Sequence, residues 1–262
     1  MFITSSRHVR RFFSSGLALT LFLAVTLTTP PTTTRAAGCS QAFCTVDVGK
    51  YWINNNLWGQ SSGSGWQAVW DTYLSGNTMG WGTNWSWTGQ SNQVKSYSSV
   101  VLGWHWGWRR SGTGLPVQIS ANRNVNTGWN YSVSQSGTMN VAYDCWLHSI
   151  SNPSSNNNPT DEVMIWLYRA GGAGPLGTYQ ATVNLAGTSW DLYRGNIGWN
   201  VFSFIRRTNT TNQTLNIRDF LNHLVSRGWV SNSKYLTSVE AGTEVFIVNG
   251  RVDTNSYFCN VQ

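Results

Sequence analysis

Glutamate is rare in this chain of 262 residues, and its three copies lie in two strand-like segments. Glu162 begins one apolar segment, whereas Glu240 and Glu244 share another near the C-terminal end. A carboxylate among apolar residues costs free energy unless it has a partner or a chemical task. Two carboxylates that face each other across a sheet are what hydrolysis of a glycosidic bond requires. The placement of the glutamates therefore predicts a catalytic pair.

Glu162 and Glu244 are the predicted members of this pair. Glu240 lies about 13 Å from Glu244 along an extended strand, at about 3.3 Å per residue, so these two cannot act at one bond. The alternative for any single acid in a strand is a rim position or a buried ion pair. Three acids in apolar strands, in a chain with few acids elsewhere, favour catalysis over that alternative.

The residues that share these strand faces favour a sugar site. Alternate side chains of a strand point the same way, so Glu162 shares its face with Met164 and Trp166. Indole rings stack on the apolar faces of sugar rings, while polar groups bind the hydroxyls. Gly242, on the face of Glu244, predicts room for a bulky ligand beside the carboxylate.

Asp144 is a third acid in a strand-like segment, with Asn140 four residues earlier on the same face. A carboxylic acid beside a nucleophilic carboxylate can hydrogen-bond to it and tune its protonation. We therefore predict that Asp144 supports the nucleophile.

The sixteen tryptophans divide into different contexts. Trp58 follows Asn56 in a turn rich in Asn and Gly, which predicts an exposed indole that stacks on sugar. Trp104, Trp106 and Trp108 alternate with other residues, so we expect the three to share one strand face, where packing in the core explains most of them.

Other catalytic patterns find no support in the sequence. His105, His148 and His223 accompany no Cys-His or nucleophile-elbow pattern, and the glycines at 112 and 114 lack the spacing of a phosphate loop. The cysteine spacing matches no zinc motif. No metal and no cofactor are predicted.

Period-two alternation recurs along the chain and predicts an all-β fold. Clusters of Gly, Asn, Ser and Thr separate the strands at spacings of about ten residues, which is typical of an antiparallel sandwich or barrel. The clearest predicted strands cover 97–102, 138–147, 163–168, 179–185, 199–205 and 243–248.

One segment has a helical period instead. Apolar residues at i, i+3, i+4, i+7 and i+8 from Ile217 predict an amphipathic helix over about 217–227, outside the sandwich. Asn216 is a suitable N-cap, and Gly228 a suitable C-terminal stop.

The first 36 residues predict a secretion signal that is removed. Three arginines precede an apolar run over 16–29, and Ala36-Ala37 offers a small-residue cleavage site. Arg10-Arg11 partly matches the twin-arginine pattern, and an ordinary secretory signal remains an open alternative. The run is too short to span a membrane. We predict a secreted, extracellular protein whose residues 37–262 form one catalytic domain.

The charge of that domain excludes a nucleic-acid partner. Four of the 17 basic residues and none of the 10 acids lie in the predicted signal, which leaves a net charge of +3 with scattered basic residues. This is too little for binding to phosphate backbones. A surface of Asn, Ser, Thr and Gly suits a neutral ligand. We expect no membrane partner after signal removal, and a monomer.

Four cysteines follow the predicted signal, an even number in an oxidising compartment. Cys39 and Cys44 could close a small loop, in which case Cys145 and Cys259 would tie the last strand to a central one. The sequence leaves all three possible connectivities open.

Several motifs, in their order and spacing, resemble glycoside hydrolase family 12, a family of secreted endo-β-1,4-glucanases. The similarity extends over most of the chain after the signal. It is carried by residues 55–59, 95–97, 143–146, 162–166, 174–177 and 242–244.

The resemblance implies a β-jelly roll of two curved antiparallel sheets with one helix, and an open cleft that binds a glucan chain. It implies Glu162 as nucleophile and Glu244 as general acid/base, in a reaction that retains stereochemistry, with Asp144 supporting Glu162. It also implies a sugar-binding lining, which we assign to Trp58, Asn56, Asn140, Met164 and Trp166.

The sequence also departs from the family pattern. Val245 follows Glu244 where the family usually has Pro, and Glu240 stands where a neutral amide is common. These differences concern loop geometry, substrate preference and disulfide pairing, and they leave the predicted catalytic pair intact. Two alternatives to a general glucanase stay open. One is an enzyme of the same fold that prefers xyloglucan or mixed-linkage glucan, and the other is a noncatalytic carbohydrate-binding protein.

Overall fold

The computed structural model describes residues 37–262, so the predicted secretion signal over 1–36 lies outside the described residues. No helix within 37–262 is long and apolar enough to cross a membrane. The elements are β1 Gly38–Cys39, β2 Thr45–Val48, β3 Tyr51–Asn54, β4 Gly63–Ser75, β5 Thr78–Gly89, β6 Ser96–Gly103, β7 Val117–Gln118, β8 Val125–Gln135, β9 Thr138–His148, β10 Asp161–Ala170, β11 Thr178–Leu185, β12 Thr188–Asn196, β13 Asn200–Arg206, β14 Asn212–Asn216, α1 Ile217–Ser226 and β15 Tyr235–Val261.

The strands form a sandwich of two sheets, as predicted. The inner sheet has the order β2-β3-β6-β15-β9-β10-β13-β12-β11, and the outer sheet has the order β1-β4-β5-β15-β8-β14. The strand β15 is 27 residues long and belongs to both sheets. Its first half pairs with β6 and β9, and its second half pairs with β5 and β8.

One strand pair differs from the predicted antiparallel arrangement. Strands β10 and β13 run parallel, in a register that places Asp161 beside Asn200 and Glu162 beside Val201. A parallel pair requires a long crossover between its strands, and the β11–β12 hairpin supplies it here. The pairing brings the start of β13 next to the start of β10.

The core lies between the two sheets and is rich in aromatic rings. The outer sheet contributes Trp81 and Trp129, and the inner sheet contributes Tyr143 and Ile165, all of them buried. The ring centroids of Trp129 and Tyr143 lie 5.4 Å apart in an edge-to-face arrangement. Most tryptophans of the outer sheet therefore stabilise the fold by burying apolar area.

The predicted helix is confirmed as α1. The side chain of Asn216 accepts a hydrogen bond from the Arg218 amide, which caps the helix N-terminus. Phe220 is fully buried against Trp190 and Phe204, with centroids 5.2 and 5.1 Å away.

Of the two disulfide bonds considered in the sequence analysis, the structure contains one. Cys39 and Cys44 form a disulfide bond. The bond considered between Cys145 and Cys259 is not formed, and both thiols are free and fully buried. Burial raises the pKa of both thiols, which keeps them protonated and unreactive.

Candidate active site

An open cleft of about 1150 Å³ covers the face of the inner sheet that points away from the core. Its wall is largely apolar and aromatic, with a few carboxylates and amides, which is the composition expected for a sugar chain. Of the predicted site residues, those that line the cleft are Asn56, Trp58, Asp144, Glu162, Met164, Trp166 and Glu244.

Glu162 lies on β10, at the point where β10 pairs with β13. Trp199, the residue before β13, donates a hydrogen bond from Nε1 to Oε2 of Glu162 over 2.7 Å. Trp199 itself packs edge-to-face against Trp146, the antiparallel neighbour of Glu162 on β9. The carboxylate is therefore held between two indoles.

Glu244 lies on β15 in the same cleft, and Asn140 fixes its position. The Asn140 amide Nδ2 donates to Oε2 of Glu244, and its Oδ1 accepts from the Glu244 backbone amide over 3.0 Å. Asn140 is fully buried and does not line the cleft, in contrast to its predicted place in the sugar-binding lining. It lies behind Glu244 and orients the carboxylate.

Burial raises the pKa of both glutamates. The pKa of Glu162 rises to about 8, and the charges of Glu244 and Glu240 add to the effect of burial, while the Trp199 hydrogen bond opposes it. The pKa of Glu244 rises to about 7, opposed by the Asn140 hydrogen bond. Two coupled carboxyls lose their protons in steps that belong to the pair.

Asp144 lies on β9 beside Met164 of β10 and Glu240 of β15. Its Oδ1 is buried and has no hydrogen-bond partner among residues 37–262. Burial and the charge of Glu162 raise the pKa of Asp144 well above the usual value for an aspartic acid. The raised pKa favours the protonated form of Asp144, which can donate a hydrogen bond.

Glu240 does not line the cleft that holds Glu162 and Glu244. It is fully buried, and its carboxylate contacts His105, Trp146 and Ser99. His105 lies on the cleft wall.

The remaining predicted sugar-binding residues differ in exposure. Trp58 is 58% exposed at the cleft edge, so its indole can stack on a ring. Asn56, Met164 and Trp166 have less than a tenth of their surfaces exposed and form the cleft floor.

Two local expectations are wrong. Trp104, Trp106 and Trp108 do not share a strand face, because β6 ends at Gly103 and the backbone then turns back. As a result Trp104 is buried, whereas Trp108 is 69% exposed.

The second concerns Gly242, which makes no room for ligand. A Cβ at Gly242 would lie 2.2 Å from the Ser98 carbonyl oxygen, so the glycine allows β6 to approach.

Sequence reasoning missed several residues of the cleft. Trp199 lies at the start of a predicted strand, but its contact with Glu162 depends on the parallel pairing of β10 and β13, which no local pattern indicates. His105, between two tryptophans in 104–108, is the sequence feature that could have indicated a residue of the cleft wall.

An open aromatic cleft with two carboxylates of raised pKa, on the inner sheet of a β-sandwich, defines a polysaccharide hydrolase. No cluster of three or more His, Cys, Asp or Glu side chains suited to a metal ion occurs among the residues that the structure describes.

Comparisons with known proteins agree with this class. Residues 49–262 match Glycosyl hydrolase family 12. The chain is 41% identical over 221 residues to endoglucanase S of Pectobacterium parmentieri, covering 81% of this chain and 82% of that protein. It is 37% identical over 233 residues to a xyloglucan-specific endo-β-1,4-glucanase A of Emericella nidulans, covering 87% and 92%.

Solved structures give the same result. A family 12 xyloglucanase from Bacillus licheniformis in complex with ligand is 42% identical with a TM-score of 0.81, and the match covers 87% of this chain and 100% of that one. Endoglucanase 3 of Trichoderma harzianum is 30% identical with a TM-score of 0.77, covering 87% and 98%. The chain therefore belongs to glycosyl hydrolase family 12.

Family membership confirms the resemblance read from the sequence motifs and the jelly-roll sandwich. It also makes the chain a glycoside hydrolase and contradicts the alternative of a noncatalytic carbohydrate-binding protein.

Proposed function

We propose that the protein is a retaining endo-β-1,4-glucanase in which Glu162 is the nucleophile and Glu244 the general acid/base. The observation that carries the assignment is the presence of both carboxyls, each with a raised pKa, in one open indole-lined cleft. The open cleft accepts an internal segment of a polymer, which supports endo-hydrolysis.

In the first step, a carboxylate oxygen of Glu162 attacks the anomeric carbon, and the bond from that carbon to the glycosidic oxygen breaks. Protonated Glu244 gives its proton to the leaving oxygen. In the second step, Glu244 takes a proton from water, the water oxygen attacks the same carbon, and Glu162 departs. Two inversions retain the configuration.

The reaction needs the form in which Glu244 holds the proton, although the pKa of Glu162, about 8, lies above that of Glu244, about 7. The active form carries one proton on the pair, with Glu162 ionised and Glu244 protonated. The Trp199 hydrogen bond favours the charge on Glu162, and protonated Asp144 supports that carboxylate from the neighbouring strand. The covalent bond to sugar then removes the charge of Glu162, which allows Glu244 to lose its proton and act as a base.

The substrate class is a β-glucan polysaccharide, as membership of the family implies. Trp58 at the cleft edge provides a stacking surface, and Asn56 provides an amide for sugar hydroxyls. Because relatives over 35% identical are described as acting on xyloglucan, a preference for xyloglucan is the second candidate.

We further propose that the protein is exported, loses residues 1–36 and acts as a monomeric single domain.

The test is reducing-sugar release by residues 37–262 from carboxymethylcellulose, barley β-glucan and tamarind xyloglucan. Glu162→Gln and Glu244→Gln are each expected to lower kcat by several orders of magnitude, since each removes a group that acts in the transition state. Asp253→Asn, on the outer sheet, is the matched control and should retain full activity. An active Glu162→Gln enzyme would refute the assignment of the nucleophile.

The three polymers also separate the substrate candidates by their relative kcat/KM. The stereochemical part of the proposal is tested by NMR of the first products. The β-anomer should form first, and initial formation of the α-anomer would contradict retention.

A further inference from the structure

A tight turn after β6 holds a histidine at the cleft wall. His105 and Trp108 exchange two backbone hydrogen bonds, of 2.8 and 3.0 Å, across Trp106 and Gly107. The two central residues have φ values of 42° and 91°, as in a type I′ hairpin turn. Asn or Gly is usual at the first of these positions, so tryptophan there stores local strain, and such strain concentrates at functional sites.

The strained indole is held by aromatic neighbours. Trp106 stacks on Trp104, with centroids 5.2 Å apart, and contacts Trp146 edge-to-face at 5.1 Å. Its ring lies 4.8 Å from that of His105. His105 also contacts Trp52 edge-to-face at 5.8 Å. The imidazole is therefore in contact with two indoles that both line the cleft.

Glu240 fixes the orientation of this imidazole from behind the cleft wall. Its Oε1 lies 2.8 Å from Nδ1 of His105 and accepts a hydrogen bond from Nε1 of Trp146 over 3.0 Å. Its Oε2 accepts from Oγ of Ser99 over 2.8 Å. A carboxylate only accepts hydrogen bonds, so Nδ1 of His105 carries the hydrogen and the tautomer is set.

The opposite edge of the ring faces the cleft. Glu240 is fully buried, whereas 12% of the His105 side chain is exposed. Nε2 of His105 has no hydrogen-bond partner among residues 37–262, and it is not among the occluded side-chain atoms of these residues. A polar atom beside two indoles is positioned to bind the rim hydroxyls of a sugar ring that stacks on them.

We propose that His105 is a specificity-determining residue that binds a hydroxyl group of a glucosyl unit in the cleft, and that Glu240 is the positioning residue that holds it. This inference rests on the proposed glucanase function. It also accounts for the third glutamate, which the catalytic pair leaves without a role.

The binding test uses a Glu162→Gln background, in which bound glucan is not cleaved. We expect His105→Gln to raise the Kd for cellotetraose about tenfold, the loss of one good hydrogen bond. Glu240→Gln keeps the side-chain shape but lets the imidazole reorient, so we expect an increase of about threefold. His223→Gln on α1, outside the cleft, is the matched control and should leave Kd unchanged.

The double variant His105→Gln/Glu240→Gln shows whether Glu240 affects binding through His105 or independently of it. If Glu240 acts through His105, the double variant binds as His105→Gln does, and the two changes do not multiply. Fully multiplicative losses would overturn the positioning role of Glu240. An unchanged Kd in His105→Gln would overturn the contact itself.

Monodeoxy cellotetraoses provide a measurement that does not depend on how well the variants fold. In an otherwise unchanged cleft, removal of the hydroxyl that binds His105 should weaken binding about tenfold, and His105→Gln should abolish the difference between this ligand and cellotetraose. Equal Kd values for all the deoxy ligands would overturn the proposal.

The turnover kinetics of variants with an intact Glu162 distinguish this inference from the proposed function. A contact made equally in the ground state and the transition state raises KM and leaves kcat nearly unchanged. An inactive wild-type enzyme would refute the glucanase, whereas an active enzyme with an unchanged KM in His105→Gln would refute only the role of His105.

Discussion

At the nucleophile, one hydrogen bond opposes the effects of burial and of neighbouring charge. Burial and the carboxylates of Glu244 and Glu240 raise the pKa of Glu162, and only the donation from Trp199 lowers it. The indole of Trp199 therefore does more than line the cleft. Its hydrogen bond raises the fraction of the singly protonated pair in which Glu162 is ionised and Glu244 carries the proton.

Trp199→Phe tests this role because it removes the donor and keeps an aromatic ring. We expect the pKa of Glu162 to rise, so that the alkaline limb of the kcat/KM profile moves up by about half a pH unit or more and kcat/KM at its optimum falls about threefold or more, because less of the pair is in the active form. The measurement is kcat/KM on a soluble β-glucan between pH 3 and 9. Trp229→Phe, whose ring stacks on Phe202, is the control. An alkaline limb that does not move would contradict the role of the hydrogen bond.

Asn140 makes the corresponding contact to the acid/base, so its loss should affect the other limb. The Asn140 hydrogen bond lowers the pKa of Glu244, and the acidic limb of the wild-type profile should lie near pH 7. In Asn140→Ala we expect this limb to move to higher pH, with a lower kcat because the carboxylate is less well oriented. The same pH series measures it, and a shift of the alkaline limb alone would contradict the assignment.

At the scale of elements, α1 contributes stability without contact with the cleft. Asn216 caps the helix and also accepts a hydrogen bond from the Val125 amide over 2.9 Å, which ties the helix to β8. Asn216→Ala should lower the free energy of unfolding by about 1–2 kcal/mol. Urea unfolding measures this loss, and kcat at 25 °C should be unchanged.

The exposed Asn222 on the same helix provides the matched control. Asn222→Ala keeps the cap, so its effect should stay within about 0.5 kcal/mol. Equal losses of unfolding free energy in the two variants would show that the Asn216 cap stabilises the protein no more than an exposed asparagine of the same helix does.

The strands could be predicted where alternation is local, and their pairing could not. The alternation predicts a strand over 138–147, and β9 covers Thr138–His148, because Met139, Val141, Tyr143, Cys145 and Leu147 are all apolar. The predicted strand over 243–248 is only one part of β15. It continues to Val261 because it crosses from the inner to the outer sheet, a property of the tertiary structure.

The site residues divide in the same way, into those that a local or compositional signal indicates and those that depend on strand pairing. The predicted pair Glu162 and Glu244 followed from glutamate rarity, a composition signal that needs no geometry. The positions of Trp199 and Asn140 depend on which strands are neighbours. The turn at 105–108 was misread because alternation assumes extended backbone, and Trp106 has a positive φ.

For the whole molecule, the cleft couples activity to stability. An Asp or Glu carboxyl whose pKa is higher in the folded state binds more protons when folded. The free energy of unfolding therefore falls as pH rises from the unfolded value, about 4.5 for glutamate, through the folded value. The folded pKa values are about 8 for Glu162 and about 7 for Glu244. These groups stabilise the protein least at the alkaline end of this window.

Glu162→Gln replaces the nucleophile by a neutral side chain of the same shape and should remove much of this destabilisation. At pH 8 we expect its free energy of unfolding to exceed that of the wild type by on the order of 2 kcal/mol, and at pH 4.5 we expect almost no difference. Urea unfolding at the two pH values measures this. Asp253→Asn, at an exposed ion pair with Arg251, should show no such gain at pH 8.

Adding Glu244→Gln to Glu162→Gln tests whether the two carboxyls share a proton. If one charge in the cleft raises the pKa of the other, removing either group already relieves the repulsion, and the second replacement should add less than it does alone. Fully additive gains at pH 8 would mean that the carboxyls titrate independently. In that case the charge of Glu162 would not raise the pKa of Glu244, and the protonation of the acid/base would depend on burial alone.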